Sequence, residues 1–424
     1  MALSLARLRG RIIPYHCYFA LLRCLPTVPR IDLDDPQGTD PAQGSHLLSR
    51  LLSPLLKTAQ VCPAAAGGRR AGPAPRDSCA IVGRAAGPAK VGGDQRGTFS
   101  GKGGTATLHD VHTHCYSPAY LALLEEAARG VRIDRGAAGH PRLVWHGVPT
   151  VTLHPATYDP WARLHDPRQR GVARHVVSTT VPNVYPFAPH LQGRAARLVN
   201  DDLARWRDAE PQQLRGLASI PVDSDDALAE VDRALDALAL SGFVMGTHLG
   251  SSELDDPRFA PIFRRLNERA ARVLLHPMLP AAGPGHLRDH DLVSLVGFVA
   301  DTTEVVARLW FGGFFAQYPR IRFILPQAGG STLWLLGRWR FGWPSSAGPA
   351  RPLPPNLFFD TLVFSPEAVA FAAQAVGADH LLFGSDYPHL GNAEAVWRDV
   401  TDANLGHDAT EAIGWRNAAA LFAD

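Results

Sequence analysis

Residues 107–114 read TLHDVHTH, and the fold turns on what this stretch is. Strand side chains alternate faces, so Asp110, His112 and His114 share one. Two imidazoles one step apart at a strand end make a bidentate seat for a borderline-soft metal such as zinc. Taken alone, the pair reads equally well as two polar residues on a strand. The decision rests on whether further ligands arrive where a fold would deliver them.

Working outward, strand-like runs alternate with helix-like ones. After 107–114 come 174–181, 215–221, 243–248, 272–276, 321–327, 356–361 and 380–386. Several are near-continuous apolar runs ending in a polar residue, as strands buried on both faces of a parallel sheet do. Between them, 225–240 places Leu228, Val231, Leu235 and Leu238 on one face, with Gly242 as a stop. Residues 257–270 gather Phe259, Ile262, Phe263 and Leu266. Asp301 and Glu304 read as a cap and its partner opening 302–317, and Ser365-Pro366-Glu367 opens a helix that Gly377 stops. Eight strand/helix repeats predict a (β/α)₈ barrel of the α/β class. A doubly wound sheet would be favoured by a Gly-rich phosphate loop after the first strand, and none is present.

Barrel chemistry gathers at the C-terminal strand ends. Those ends carry His112 and His114, then His248, His276, Gln327, Asp360 and Asp386. Two histidines from the first strand, His276 from the fifth and Asp386 from the eighth make an N₃O ligand set for one Zn²⁺ or another divalent transition metal. Asp360 reads as a partner orienting a ligand or as a turn residue. Cys115 follows His114 and should face away, into packing.

The net charge of +2 gives no reason to expect nucleic acid as a partner, and no apolar run is long enough to span a bilayer. The charge is uneven. Residues 1–106 carry 14 Lys/Arg against 6 Asp/Glu, and the first glutamate is Glu125. Four of the five cysteines lie there too, leaving Cys115 alone in the body. A body with one cysteine fits a reducing, cytoplasmic setting. Residues 1–104, rich in Gly, Pro, Ala, Ser and Arg, are expected to be a low-complexity, largely disordered extension. It reads as a transit segment or as an upstream stretch outside the native start. The barrel is expected over 105–424.

The body resembles the amidohydrolase-related metal-dependent decarboxylases typified by aminocarboxymuconate semialdehyde decarboxylase. The markers are DVHTH (110–114), GTHLG (246–250), LLHP (274–277), LVGFVADTTEVVARLWFGGFFAQYPRIRF (295–323), AGGSTLWLLGR (328–338) and LLFGSDYP (381–388). The resemblance implies the ligands His112, His114, His276 and Asp386, the set the strand ends select. It implies that Arg338 reaches a neighbouring subunit's site and holds a substrate carboxylate, hence a homodimer acting on a small carboxylated substrate. One position departs. Relatives carry an acid/base histidine after the sixth strand, where this chain has Gln327. Glutamine hydrogen-bonds but does not titrate. His389, just after Asp386-Tyr387-Pro388, is the nearest substitute in sequence, and His248 is the other. The expected activity is zinc-dependent decarboxylation of a small unsaturated or aromatic acid, with Asp386, Gln327 and His389 at the reacting centre. Two alternatives stay open: hydrolysis of a lactone or amide at the same site, with Asp386 doubling as proton acceptor, and a non-catalytic or weakly active member marked by Gln327.

Overall fold

The computed structural model describes residues 108–423 except 137–138, 281–282, 284 and 344–351. The extension expected over 1–104 lies outside the described residues, as does most of the loop expected over 345–355.

Eight parallel strands form one sheet in sequence order: β1 (Leu108–His114), β2 (Val172–Ser178), β3 (Leu214–Ser219), β4 (Gly242–Gly246), β5 (Arg272–His276), β6 (Arg322–Leu325), β7 (Leu357–Asp360) and β8 (Leu381–Leu382). The last strand returns to the first. Val111 N–H donates to Phe383 O at 3.0 Å and His114 N–H to Tyr387 O at 2.8 Å. The expected (β/α)₈ barrel is therefore what the chain forms.

Two apolar layers hold it. One buried group draws Val111, Val176, Leu217, Val244, Leu274, Ile324 and Leu382 from seven strands, with Phe358 of β7 against them. It fills the barrel interior, and Leu421 and Phe422 close it at the end where β5 begins, where Arg272 Nε donates to Leu421 O. The alternate residues, among them Val177, Phe243, Val273, Leu275, Phe323 and Phe359, pack outward against the helices. The near-continuous apolar strands follow from this two-sided burial.

The surrounding helices include α1 (Pro118–Ala127), α2 (Pro189–Ala209), α3 (Ala227–Asp236), α4 (Ala260–Glu268), α5 (Phe298–Phe311), α6 (Thr332–Phe341), α7 (Pro366–Val376) and α8 (Ala393–Asp402). Ser365 caps α7 by accepting from Ala368 N–H, and Gly377 ends it at φ 88°. Phe259, Ile262, Phe263 and Leu266 are buried together, as their spacing predicts.

Two expectations are corrected. α3 stops at Asp236, and Gly242 opens β4 instead of ending a helix. Asp301 does not cap a helix over 302–317: α5 runs through it from Phe298, continuing a π-helical turn over Val293–Gly297, and Gly313 at φ 74° separates it from Phe314–Gln317. The Asp301 carboxylate instead accepts from the Thr247 hydroxyl and from Met278 N–H at 2.9 Å, tying the ends of β4 and β5 together.

The sequence reading also missed a three-stranded antiparallel sheet between β1 and β2, made by Val131–Asp134, Arg142–Trp145 and Val148–Thr152. Its tight turn is His146-Gly147, with both residues at positive φ (49° and 80°), the geometry of a two-residue hairpin.

Candidate metal centre and active site

β1 delivers His112 and His114 side by side, and β5 and the turn after β8 bring His276 and Asp386 to them. The four offer ligand atoms that all lie within 4.8 Å of one another, and all four residues are buried. His114 Nε2 is 3.0 Å from Asp386 Oδ1, and His112 Nε2 is 3.6 Å from it. His112 Nε2, His114 Nε2 and Asp386 Oδ1 are buried without a hydrogen-bond partner. Unpaired polar atoms so enclosed are costly, and a divalent cation is the group that satisfies all of them at once. The donor set therefore fits a metal ion.

Each ligand is held from behind. His112 Nδ1 donates to Asp360 Oδ2 at 2.7 Å, which directs its Nε2 lone pair into the centre. Of the two readings of Asp360, the orienting partner is the one found. His276 Nδ1 lies 2.8 Å from Pro277 O, with the Thr180 hydroxyl at 2.5 Å. A carbonyl only accepts, so Nδ1 carries the proton and Nε2 is free to ligate. His114 Nδ1 meets Ser178 Oγ at 3.1 Å. Asp110 clips the two ligand-bearing ends together, accepting from His112 N–H at 3.2 Å, Ser385 N–H at 3.1 Å and the Ser385 hydroxyl. Burial, working against these bonds, raises its carboxyl to about 7. The packing is close: a Cβ on Gly384 would meet Asp360 Cβ at 2.9 Å and His112 Cβ at 3.0 Å.

Charge sorts the three imidazoles. Burial, then the neighbouring histidines, puts His114 and His276 well below the ordinary value, so both are neutral, ligating forms. Burial also pulls His112 down, but the Asp386 and Asp360 carboxylates outweigh it and raise the imidazole.

The centre opens on a cavity of about 650 Å³, within the range of ligand pockets. His276, Asp386, Gln327 and His389 line its metal end. Gln327 (φ 55°) begins a left-handed turn after β6 that runs through Gly330. A Cβ at Gly330 would meet Val299 O at 2.4 Å, so that position requires glycine. The Gln327 side-chain oxygen is buried without a partner. His389 stacks on His114 with ring centroids 5.5 Å apart, and neither ring nitrogen has a partner. Burial, chiefly, lowers its imidazole to about 4.

Other expected residues lie elsewhere. His248 does not join the centre; its two ring nitrogens face the carbonyls of Gly250 and Leu279, each at 2.8 Å. Arg338 is exposed on α6 and does not line the cavity of its own subunit. Cys115 packs in the outer core. The sequence reading missed part of the cavity wall, to which the inserted sheet contributes Arg142, Thr150 and Thr152, with His140 and His154 just outside its strands and Arg288 and Asp291 also in the lining. The hairpin signal of Leu143-Val-Trp-His-Gly-Val-Pro-Thr-Val151 would have placed that sheet.

Known proteins fit this geometry. The chain is 27% identical over 328 residues to a 2-amino-3-carboxymuconate-6-semialdehyde decarboxylase of Dictyostelium discoideum, covering 72% of this chain and 91% of that one. It is 28% identical over 311 residues to a 6-methylsalicylic acid decarboxylase of Penicillium expansum, covering 66% and 84%. A solved 5-carboxyvanillate decarboxylase of Novosphingobium aromaticivorans, with bound manganese, superposes with a TM-score of 0.64 at 20% identity, over 75% of this chain and 97% of that one. The model of the amidohydrolase family matches residues 109–423, a span that holds every strand end and all four ligands, and the chain belongs to that family.

Proposed function

We propose that this chain is a zinc-dependent decarboxylase of a small unsaturated or aromatic carboxylic acid. The observation that carries the reading is the convergence of His112, His114, His276 and Asp386, three of their ligand atoms unpaired, on a cavity that Arg142 and Arg288 also line. Decarboxylase activity in the named relatives supports it. Three imidazoles and one carboxylate suit zinc, although manganese sits in the solved neighbour. When bound, such an ion supplies positive charge that stabilises the electron pair left as the carbon–carboxylate bond breaks.

The chain's own residues do the rest. The Arg142 guanidinium has no hydrogen-bond or ion-pair partner among the described residues, and that of Arg288 donates only to His146 O at 3.3 Å. Both are free to take a substrate carboxylate. Val181, Phe298 and Leu390 make the apolar part of the wall. Gln327 offers an amide hydrogen bond to a substrate oxygen. A substrate carboxylate entering beside His389 raises its imidazole from about 4, and the imidazolium so formed supplies the proton that replaces the carboxyl group: the carbon–carboxylate bond breaks, CO₂ leaves, and its electron pair closes on that proton.

A homodimer completes the proposal. Trp334 and Phe341 are 78% and 93% exposed and share one face of α6 with Arg338. Large exposed aromatics in one stripe call for a partner, and a second copy would carry Arg338 with it. Trp339, by contrast, is buried against Trp310 and belongs to packing.

The test is a panel of hydroxylated benzoates and muconate-type acids followed for CO₂, beside lactones followed for acid release, on zinc-loaded protein. CO₂ from at least one acid is the expected result. Acid release from lactones without CO₂ from any acid overturns the reading in favour of a hydrolase.

A further inference from the structure

Arg163 is a buried cation for which the reaction has no use. It is 0% exposed, sits in the short helix Pro160–Leu164, and its Nε and Nη1 have no hydrogen-bond partner. No carboxylate lies within ion-pair distance of it among the described residues. Burying a charge without a counter-ion is expensive, and burial lowers the guanidinium's pKa accordingly. What it touches explains why it is kept.

Its Nη2 donates to the backbone carbonyl of His114. Its guanidinium lies over the ring of Tyr387, 4.9 Å from the centroid, with Trp206 at 5.8 Å. His114 N–H in turn donates to Tyr387 O at 2.8 Å. These three contacts close a ring: His114 to Tyr387 through the backbone, Tyr387 to Arg163 through the aromatic face, and Arg163 back to His114 through its carbonyl. The ring joins one metal ligand to the residue after another, across the seam where the last strand meets the first. Asp386 holds a left-handed φ of 55° there, a conformation that the surroundings must enforce. A planar guanidinium can stack on an aromatic and donate sideways at once, which an ammonium does less well.

We propose that Arg163 is a positioning residue for the metal centre: by closing this ring it keeps His114 Nε2 and Asp386 Oδ1 at their 3.0 Å spacing. The inference rests on the four-ligand site. It predicts that Arg163 acts on metal affinity through the seam, not through general stability.

The experiment measures zinc affinity by competition with a chromophoric chelator, and melting of the metal-free protein, on the full chain. Arg163→Met should weaken zinc binding about 10–100-fold, the usual effect of a residue that orients a ligand. Arg163→Lys should recover part of that loss. Tyr387→Leu, which removes another side of the ring, should also weaken zinc binding. It covers the case in which Arg163→Met does not fold. Arg168→Met is the control: Arg168 also lies over Tyr387, at 5.1 Å, but its guanidinium pairs with Asp166 and makes no bond to His114. Wild-type zinc affinity in Arg163→Met or, failing its folding, in Tyr387→Leu overturns the proposal, as does an equal loss in Arg168→Met. Failure of the wild type to bind zinc, with His112→Ala indistinguishable from it, refutes the metal site instead.

Discussion

Asp360→Asn is a nearly isosteric change with a specific expected failure. The carboxylate accepts three hydrogen bonds: Oδ2 from His112 Nδ1 at 2.7 Å, and Oδ1 from Ala328 N–H and Leu362 N–H, each at 3.2 Å. An amide has one oxygen for these two directions. Turned toward His112, it leaves the amide NH₂ against two buried backbone donors, each costing about 1–3 kcal/mol when unpaired. The lower-energy arrangement turns the oxygen to the backbone and the NH₂ to His112. His112 Nδ1 must then accept, so the proton moves to Nε2, the atom that has to ligate. The variant folds but holds the wrong tautomer. Loss of an orienting partner weakens metal binding about 10–100-fold, or about 1.4–2.7 kcal/mol at 1.36 kcal/mol per decade. Zinc titration against a competing chelator measures this, and thermal melting of the metal-free protein separates it from unfolding. The metal-free variant should melt close to wild type, while its metal-dependent stabilisation shrinks. An unchanged zinc affinity in a folded Asp360→Asn protein would falsify the tautomer argument.

Further consequences can be measured alongside. His389→Asn should lower kcat about 10²–10⁴-fold, the usual effect of losing a positioned proton donor, with zinc content unchanged in elemental analysis. Arg142→Met should raise KM at least about tenfold, since hydrogen bonds to charged groups contribute about 1.5–3 kcal/mol, and steady-state kinetics should show a smaller change in kcat. Burial pushes the Cys115 thiol up to about 11, so alkylation at pH 8 followed by peptide mapping should leave Cys115 unlabelled until the protein unfolds. Burial tends to raise Asp166, but hydrogen bonds from Arg168 and from the Tyr387 hydroxyl (2.7 Å) prevail and hold it at about 2. A folded value below the ordinary 3.8 contributes stability that is fully present above about pH 4 and is lost as pH falls through about 2. Allowing for partial exposure of the pair, Asp166→Asn should cost about 1 kcal/mol at pH 7 in denaturant melts, a gap that narrows below pH 4.

The barrel was legible because its evidence is local. RVLLH (272–276) and LFFD (357–360) are apolar on both faces and end in a polar group, and two-sided burial leaves no other pattern. The four candidate ligands were legible because each sits at or just after such an end. What failed was local in a different way. Asp301 and Glu304 have cap spacing, yet tertiary bonds to Thr247 and Met278 claimed the carboxylate, and a helix start cannot be told from a helix interior when its acid is spent elsewhere. The inserted sheet was passed over because its strands are four or five residues long. Their register depends on a His-Gly turn, which is a weaker signal than Asn-Gly. The missed sheet is also what carries Arg142, so that part of the cavity lining was invisible from strand ends alone.

The four-residue centre is fixed many times over, and the Gln327 side chain is not. His112 is held by Asp360, His276 by Pro277 and Thr180, His114 by Ser178, and the β1–β8 seam by Asp110 and Ser385. Replacing any one ligand leaves several buried polar groups unpaired, so such changes are costly wherever they fall. The Gln327 side chain takes no part in that web of bonds. Its backbone turn is fixed by Gly329 and Gly330, but its side-chain oxygen meets no partner in the protein. A residue whose side chain bonds to nothing can change without disturbing the fold. A glutamine can therefore stand where the sequence resemblance leads one to expect a histidine while the four-residue cluster beside it stays intact.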